Sequence, residues 1–253
     1  MKKIILILCV ALMAASCGVS NKTSKKKYDI VVGVCHNGVT ETTKGYFRKC
    51  VNDAGADIVF FPEYTSTDEM AREYVAGVDA VIIPGSTAGD TTGRKQYDNR
   101  VVQATLDAGK PILGICYGHQ RISKVMGGEM KKVADAFPES EVVHKNKVDD
   151  YNIGLNTEAH PMIVDPESRL YRLLGGLDTV MVNTSHNWCV TEAAEGLKVV
   201  GVAPDGLIEA YEAEYITGVQ FHPEYLYGKM GIERFRAIFD ELVREAKEVK
   251  YGK

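Results

Sequence analysis

Four short apolar runs, each followed by a segment with helical periodicity, restrict the folds open to this chain more than any other feature. The runs are "YDIVVGVC", "DIVFFP", "DAVIIPG" and "KPILGIC". Nearly continuous apolar runs of this length are typical of strands buried on both faces. Strands that alternate with helices over short connections form parallel sheets. We therefore predict an α/β fold, a three-layer sandwich with a mostly parallel central sheet and with functional groups at the carboxyl ends of its strands.

The helices between these strands have recognisable ends, and the second half of the chain changes character. Helices are predicted over Thr40–Ala54, over a short segment opened by a capping box at Ser66–Glu69, over Tyr97–Ala108 and over Gly118–Met126. Further on, "LKVVGVAPDGLIEAYEAEYITGVQFHPE" predicts short strands around a Pro-Asp-Gly turn, as in a small antiparallel ribbon that returns to the sheet. A final amphipathic helix is predicted over Ile232–Val249.

The first 27 residues are predicted to lie outside the folded domain, which covers residues 28–253. Residues 1–16 begin with two lysines, continue with an apolar run too short to span a bilayer and end in small residues, as secretory signals do. Because Cys17 follows directly, the segment resembles a bacterial lipoprotein signal, which implies a lipid on Cys17 and a flexible tether over residues 17–27. A cleaved signal followed by an incidental cysteine is the alternative. Either signal implies export, and lipidation implies anchoring to the bacterial cell envelope, at the periplasmic or outer-membrane face.

Composition argues against several partners and cofactors. The 30 Lys and Arg against 34 Asp and Glu give a formal net charge of −4, and the only basic run is residues 25–27, so nucleic acid is not an expected partner. Beyond Cys17, the cysteines are Cys35, Cys50, Cys116 and Cys189, with neither CxxC nor Cys/His ligand spacing. We therefore expect no metal site and no other cofactor. Cys35 and Cys50 are the nearest pair if the exported protein forms a disulfide.

One cysteine stands between two glycines where a strand should end and a helix begin. The stretch "GICYG", residues 114–118, has the spacing of a nucleophile elbow, G-x-S-x-G, with Cys116 in the place of serine. The turn is so tight that its flanking positions require residues without a Cβ. The thiol would stand at a helix N-terminus, where the partial positive charge favours the thiolate. We interpret Cys116 as reactive, whereas a cysteine inside an apolar run usually only packs.

The other parts of a thiol-based site are present at two further strand ends. A thiol nucleophile needs a base, and the base needs a group that orients it. The stretch "VQFHPEY" supplies His222 and Glu224, which lie on the same side at the end of an extended segment. The stretch "IIPGS" places Gly85 and Ser86 after the third strand, where backbone amides could join that of Tyr117 in an oxyanion hole.

Together, "PILGICYGHQ", "IIPGS" and "GVQFHPE" resemble the class I glutamine amidotransferase domain. The resemblance covers about Tyr28 to the C-terminus and is closest to the γ-glutamyl hydrolase branch, specifically to γ-glutamyl-γ-aminobutyrate hydrolase-like proteins, as "APDGLIEAYE" and "VNTSHNW" also indicate. It implies a flavodoxin-like fold and a catalytic triad of Cys116, His222 and Glu224. It also implies an oxyanion hole built from Gly85, Ser86 and Tyr117.

The resemblance further implies substrate contacts, and here the sequence departs from the pattern. Gln120 is expected beside the substrate, and Ser185, His186 and Asn187 are expected to contact the glutamyl moiety or the leaving group. Members of the branch often carry Ser-x-His-x-Gln at this position, whereas this chain has "TSHNW", with Trp188 in the place of Gln. Whether His36, His144, His160 or Trp188 also touches substrate is left open by the sequence, as are the leaving amine and the oligomeric state.

We predict a cysteine-dependent hydrolase that cleaves a small γ-glutamyl amide or peptide through a thioester, with the membrane contacted only through a lipid anchor. Two other classes stay open at this point. One is a glutaminase subunit that feeds ammonia to a synthase, although the chain carries no synthase domain. The other is a non-catalytic binding or redox protein on the same scaffold.

Overall fold

A computed structural model of the chain describes residues 27–35, 39–62, 67–86, 92–145 and 155–252. The predicted signal, Cys17 and all but the last residue of the tether lie outside the described residues, as do His36 and Glu63. Within the described ranges, no helix is both long and apolar enough to cross a membrane. Cys35, Cys50, Cys116 and Cys189 are buried free thiols, so the Cys35–Cys50 disulfide is not formed.

A nine-stranded sheet forms the centre of the molecule, and the order of its strands is β2-β1-β3-β4-β11-β10-β9-β6-β7. Strands β2, β1, β3, β4 and β11 run parallel, and the remaining pairings in this sheet are antiparallel. A separate two-stranded antiparallel sheet joins β5 to β8. The strands are β1 Val31–Val34, β2 Asp57–Phe60, β3 Ala80–Ile83, β4 Ile112–Ile115, β5 Glu129–Lys132, β6 His160–Val164, β7 Thr179–Val182, β8 Trp188–Glu192, β9 Lys198–Val202, β10 Ile208–Ala213 and β11 Ile216–Val219.

The helices cover both faces of the parallel half and create two hydrophobic cores. They are α1 Glu41–Asp53, α2 Asp68–Ala76, α3 Thr92–Asp107, α4 Tyr117–Val125, α5 Val133–Ala136, α6 Arg169–Leu173 and α7 Arg236–Tyr251. Alternate residues of a strand enter opposite cores: Val32 packs with α1 and α7, whereas Val31 packs with α2, α3 and α4. All four residues of β1, β3 and β4 are buried, as the apolar runs predict. The predicted α/β sandwich with its mostly parallel sheet is confirmed.

Helices α2 and α3 begin at positions other than the predicted ones, and polar residues determine where each begins. Helix α3 begins at Thr92, five positions before the predicted start at Tyr97. Its first turns contain Arg94 and Asp98, which form a buried ion pair with Nε and Oδ2 3.0 Å apart, so apolar periodicity could not reveal them. The capping box predicted at Ser66–Glu69 is wrong, because the N-cap of α2 is Thr67, whose hydroxyl accepts a hydrogen bond from the amide of Met70.

The C-terminal region contains two short helical turns before its long helix. A π-helical turn, Glu224–Lys229, follows β11 after four intervening residues, and a 3₁₀ turn, Glu233–Phe235, leads into α7. The predicted helix start at Ile232 therefore lies within this lead-in rather than in α7 itself.

Candidate active site

Three neighbouring parallel strands bring the predicted chemistry together. In the sheet, β4 lies between β3 and β11, with Gly114 opposite both Ile83 and Gly218. The chain segments that leave these strands therefore meet at one edge of the sheet. Gly85 follows β3, Cys116 follows β4 and His222 follows β11. Residues more than one hundred positions apart in sequence are thus placed side by side.

Cys116 forms the elbow that its flanking glycines predict. Its backbone has φ 50° and ψ −101°, a conformation that costs energy for a residue with a side chain and is typical of functional sites. A Cβ on Gly118 would overlap the carbonyl group of Ile83, and one on Gly114 would lie 2.8 Å from the Gly118 carbonyl. The end of β3 therefore packs directly against the start of α4, and only glycines permit that approach.

The thiol of Cys116 is directed at the catalytic histidine. Cys116 is 5% exposed and lies at the N-cap of α4, where the helix favours a negative charge. The Cys116 side chain lies close enough to His222 to raise the pKa of the imidazole. Because Nδ1 of His222 faces Glu224, its Nε2 is the nitrogen available to the thiol. The predicted nucleophile and base are therefore in contact.

Glu224 holds the other side of the His222 ring. The distance from Nδ1 to the Glu224 Oε1 is 2.7 Å, and both side chains are buried. Burial alone would lower the pKa of His222, but the negative charges of Glu224 and of the Cys116 thiolate outweigh it and raise that pKa to about 10. The imidazolium form of His222 is thus favoured.

Asn183 fixes the backbone of the same histidine, a role that the sequence did not reveal. Its side-chain oxygen accepts from the His222 amide at 2.8 Å, and its amide nitrogen donates to the His222 carbonyl at 3.2 Å. The same nitrogen also donates to the carbonyl of Leu155 at 2.9 Å. Asn183 is fully buried, so these bonds position His222 without competition from water. It lies in "VNTSHNW", a stretch noted for its resemblance and not for this contact.

The predicted oxyanion residues surround the triad. A Cβ on Gly85 would lie 2.4 Å from Cε1 of His222, so this glycine is packed against the imidazole ring. The hydroxyl of Ser86 accepts a hydrogen bond from Arg94, whose guanidinium also lies 4.6 Å from the ring centre of Tyr117. The buried Arg94 therefore ties together the two segments whose amides are predicted to form the oxyanion hole.

The four residues predicted to contact substrate differ in burial and in their hydrogen bonds. The amide nitrogen of Gln120 donates both of its hydrogens within the protein, to the Trp188 carbonyl at 2.7 Å and to Gln220 at 3.0 Å. Ser185 is half-buried and Asn187 exposed, whereas His186 is buried with both ring nitrogens facing protein groups. Contact of these four residues with substrate stays a prediction.

Trp188 and two further histidines complete this part of the structure. Trp188 is 44% exposed at the start of β8. His144 and His160 are buried and lie near His186 and Glu209, an association that single-residue reasoning did not predict.

Comparison with known proteins agrees with this geometry. The family model described as Peptidase C26 matches residues 18–224. The chain is 26% identical to Protein NtpR of Enterococcus hirae, over 83% of this chain and 91% of that protein. It is 24% identical to the γ-glutamyl-γ-aminobutyrate hydrolase PuuD of Escherichia coli, over 81% of this chain and 89% of that protein.

A solved structure shows the same fold. It is a glutamine amidotransferase from Thermotoga maritima, with a TM-score of 0.56 and 14% identity, covering 88% of this chain and 99% of that one. The family match extends over most of the chain and includes all three residues of the triad. The chain therefore belongs to the Peptidase C26 family of the class I glutamine amidotransferase-like superfamily.

Proposed function

We propose that the protein is a hydrolase of γ-glutamyl amides or peptides that works through a γ-glutamyl thioester on Cys116. The observation that carries this proposal is the position of His222, which lies beside the Cys116 thiol on one side and hydrogen-bonds Glu224 on the other. This is the arrangement of nucleophile, base and orienting group that acyl transfer requires.

The reaction follows from these contacts in two halves. The Cys116 sulfur attacks the δ-carbonyl carbon, and the carbonyl electron pair moves to oxygen, where the amides of Gly85, Ser86 and Tyr117 would stabilise the charge. As the C–N bond breaks, His222 donates its proton to the leaving amine and a thioester is left. A water molecule then gives a proton to His222 and attacks the thioester, which releases glutamate or a γ-glutamyl acid and restores the thiol.

The substrate class is supported by similarity rather than by side-chain contacts. PuuD, whose name specifies a γ-glutamyl substrate, matches most of the chain, although at 24% identity. A glutaminase subunit is the second candidate, favoured because the chain belongs to the glutamine amidotransferase-like superfamily and the same triad could release ammonia from glutamine. The two candidates differ in the amine released: ammonia alone for a glutaminase, and larger amines for the hydrolase.

A substrate panel tests both candidates. The protein without its first 17 residues would be assayed against glutamine, γ-glutamyl-γ-aminobutyrate, γ-glutamyl dipeptides and γ-glutamyl p-nitroanilide. We expect hydrolysis of γ-glutamyl amides larger than glutamine, and its loss in Cys116→Ala. Cys189→Ala is the matched control, since burial raises the pKa of that thiol to about 11 and keeps it protonated. Turnover of glutamine alone, dependent on an added partner, would overturn the hydrolase in favour of the glutaminase.

We also propose that the protein is exported and anchored through a lipid on Cys17. The support is the signal-like composition of residues 1–16, directly before this cysteine. Acyl chains contribute ~0.8 kcal/mol per buried CH₂, so two or more chains hold a protein firmly on a membrane. Labelling of the full chain with radioactive palmitate should mark the wild type and not Cys17→Ala, and globomycin should block processing. An unlabelled, soluble mature protein would contradict the proposal.

A further inference from the structure

A second group of polar side chains is buried beside the triad and plays no part in the proposed reaction. His144, His160, His186 and Glu209, together called the histidine cluster, come from four separate segments of the antiparallel half of the molecule. All four residues are 5% exposed or less. Burial of this many titratable groups at one point is costly unless something compensates for it.

The histidine cluster converges on one oxygen atom. The Glu209 Oε1 lies 3.4 Å from Nε2 of His160, 3.8 Å from Nδ1 of His144 and 3.9 Å from Nε2 of His186. One ligand atom from each of His144, His186 and Glu209 lies within 4.8 Å of the others. None of the four converging atoms has a hydrogen-bond partner among the described residues.

The outer nitrogens determine which form of each ring faces inward. Nε2 of His144 donates to the Asp205 carboxylate at 2.9 Å, and Nδ1 of His186 donates to the backbone carbonyl two residues further on at 2.9 Å. Nδ1 of His160 donates at 3.0 Å to the carbonyl of the next residue. Because these oxygens can only accept, the hydrogens lie on the outer nitrogens. In the neutral rings, three unprotonated nitrogens therefore face one carboxyl oxygen.

A single proton cannot satisfy this arrangement. The carboxyl group of Glu209 can carry at most one proton. That proton can serve only one of the three nitrogens, and the other two lone pairs stay without a partner. A cation between His144, His186 and Glu209 would serve three of these atoms at once. Ligating histidines generally donate their outer N–H to a carboxylate or carbonyl, as these three do.

The spacing around the Glu209 oxygen fits a metal ion better than water or ammonium. Taken as edges of a tetrahedron, the three distances of 3.4–3.9 Å from this oxygen correspond to a centre about 2.1–2.4 Å from each atom, close to Zn–N and Zn–O bond lengths of about 2.0–2.2 Å. A hydrogen-bonded water or ammonium would need about 2.9 Å to each partner and thus a wider cage. Imidazole and carboxylate ligands without thiolate suit Zn²⁺.

We propose that His144, His186 and Glu209 bind one zinc ion, with the His160 ring beside it. The ion would connect three segments that pack beside the triad. Its role would be positional, because His186 and Gln120 share the Trp188 carbonyl as acceptor and the amide of Gln220, two residues before His222, donates to the Glu209 carbonyl. The site shares no residue with the Cys116–His222–Glu224 triad, so it can be tested independently of hydrolysis.

The test is metal binding by protein made without a histidine tag and freed of metal with a chelator. Calorimetric titration with ZnCl₂ should give one ion per chain. Thermal unfolding should show a higher melting temperature with zinc than without it. Titration with Co²⁺ should give the visible bands of a tetrahedral site without a thiolate charge-transfer band. Glu209→Gln and His186→Ala should weaken zinc binding at least 100-fold. Asp205→Asn, which changes the outer partner of His144 and no proposed ligand, should weaken it about 10-fold.

Cys116→Ala separates this site from the triad, since a thiol next to His222 could also bind zinc. We expect this variant to bind zinc as the wild type does. Zinc binding lost in Cys116→Ala, kept in Glu209→Gln, or absent from the wild type would overturn the proposal. Glu209→Gln is nearly the same size as the native residue, and circular dichroism would verify that it folds. If it does not fold, Asp205→Asn and the Co²⁺ spectrum of the wild type decide the question.

Discussion

A methyl group added at Gly85 should disable the enzyme by moving one ring. The Cβ of Gly85→Ala would lie 2.4 Å from Cε1 of His222, 3.2 Å from its Nε2 and 3.3 Å from its Nδ1. Because carbon atoms pack at about 3.5 Å, the ring must retreat by about 1 Å. It cannot do so freely, since Glu224 holds Nδ1 at 2.7 Å and Asn183 holds the backbone of the same residue.

The size of the effect follows from this displacement. A misplacement of about 1 Å at a reacting group costs on the order of 10²-fold in rate, which is about 2.7 kcal/mol of transition-state stabilisation. Overpacking also lowers the free energy of unfolding by about 1–3 kcal/mol. We therefore expect kcat/KM for γ-glutamyl p-nitroanilide to fall about 100-fold in a protein that still folds.

Gly45→Ala provides the matched control. Gly45 lies within helix α1, and nothing lies within 4 Å of a Cβ placed there. This substitution should raise the free energy of unfolding by about 1 kcal/mol and leave kcat/KM unchanged. Steady-state kinetics and urea unfolding of both variants would be compared. Full activity in Gly85→Ala would refute the placement of His222, and an equal loss in Gly45→Ala would refute the steric explanation.

Three further predictions concern the groups that hold the site. The pKa of His222 is raised from 6.5 to about 10 in the folded protein, so its imidazolium form stabilises the fold fully below pH 6.5. This contribution is lost as the pH rises through about 10. Urea unfolding should show the loss in the wild type and much less of it in Glu224→Gln. Asn183→Ala leaves the buried His222 amide and Leu155 carbonyl without their side-chain partner, while the His222 carbonyl keeps the amides of Tyr225 and Leu226, so the free energy of unfolding should fall by about 3 kcal/mol and kcat should fall more than KM rises, as chemical denaturation and kinetics would reveal. Arg94→Met should destabilise the protein by about 3 kcal/mol, because the fully buried Asp98 loses its cation. Adding Asp98→Leu should restore part of that loss. A double variant that is no more stable than Arg94→Met in thermal unfolding would contradict this account.

The parallel half of the fold and the triad could be predicted because local signals describe them. Each buried strand is one apolar run, and the elbow glycines adjoin Cys116 in sequence. His222 and Glu224 are two positions apart and follow a recognisable strand. Neighbouring parallel strands then bring their ends together regardless of separation along the chain.

The antiparallel half could not be predicted to the same depth, because its contacts join distant residues. His144 lies beside Glu209, which is 65 positions away in sequence, and no short motif predicts that contact. Asn183 meets His222 across 39 positions. In the parallel half, Arg94 and Asp98 are close in sequence, but both are buried, whereas charged residues usually lie at the surface. Long-range polar contacts of this kind become visible only in three dimensions.

The order of strands in the central sheet has a practical consequence for redesign. The triad follows β4 and β11 and the predicted oxyanion residues follow β3, whereas residues 185–187, the predicted substrate segment, follow β7 at the far edge of the antiparallel half. The reacting groups and this segment therefore depend on different neighbours in the sheet. An engineer could diversify Ser185 and Asn187, leaving the buried His186 in place, to change which amine leaves, while the hydrogen-bonded register of β3, β4 and β11 keeps the reacting groups in place.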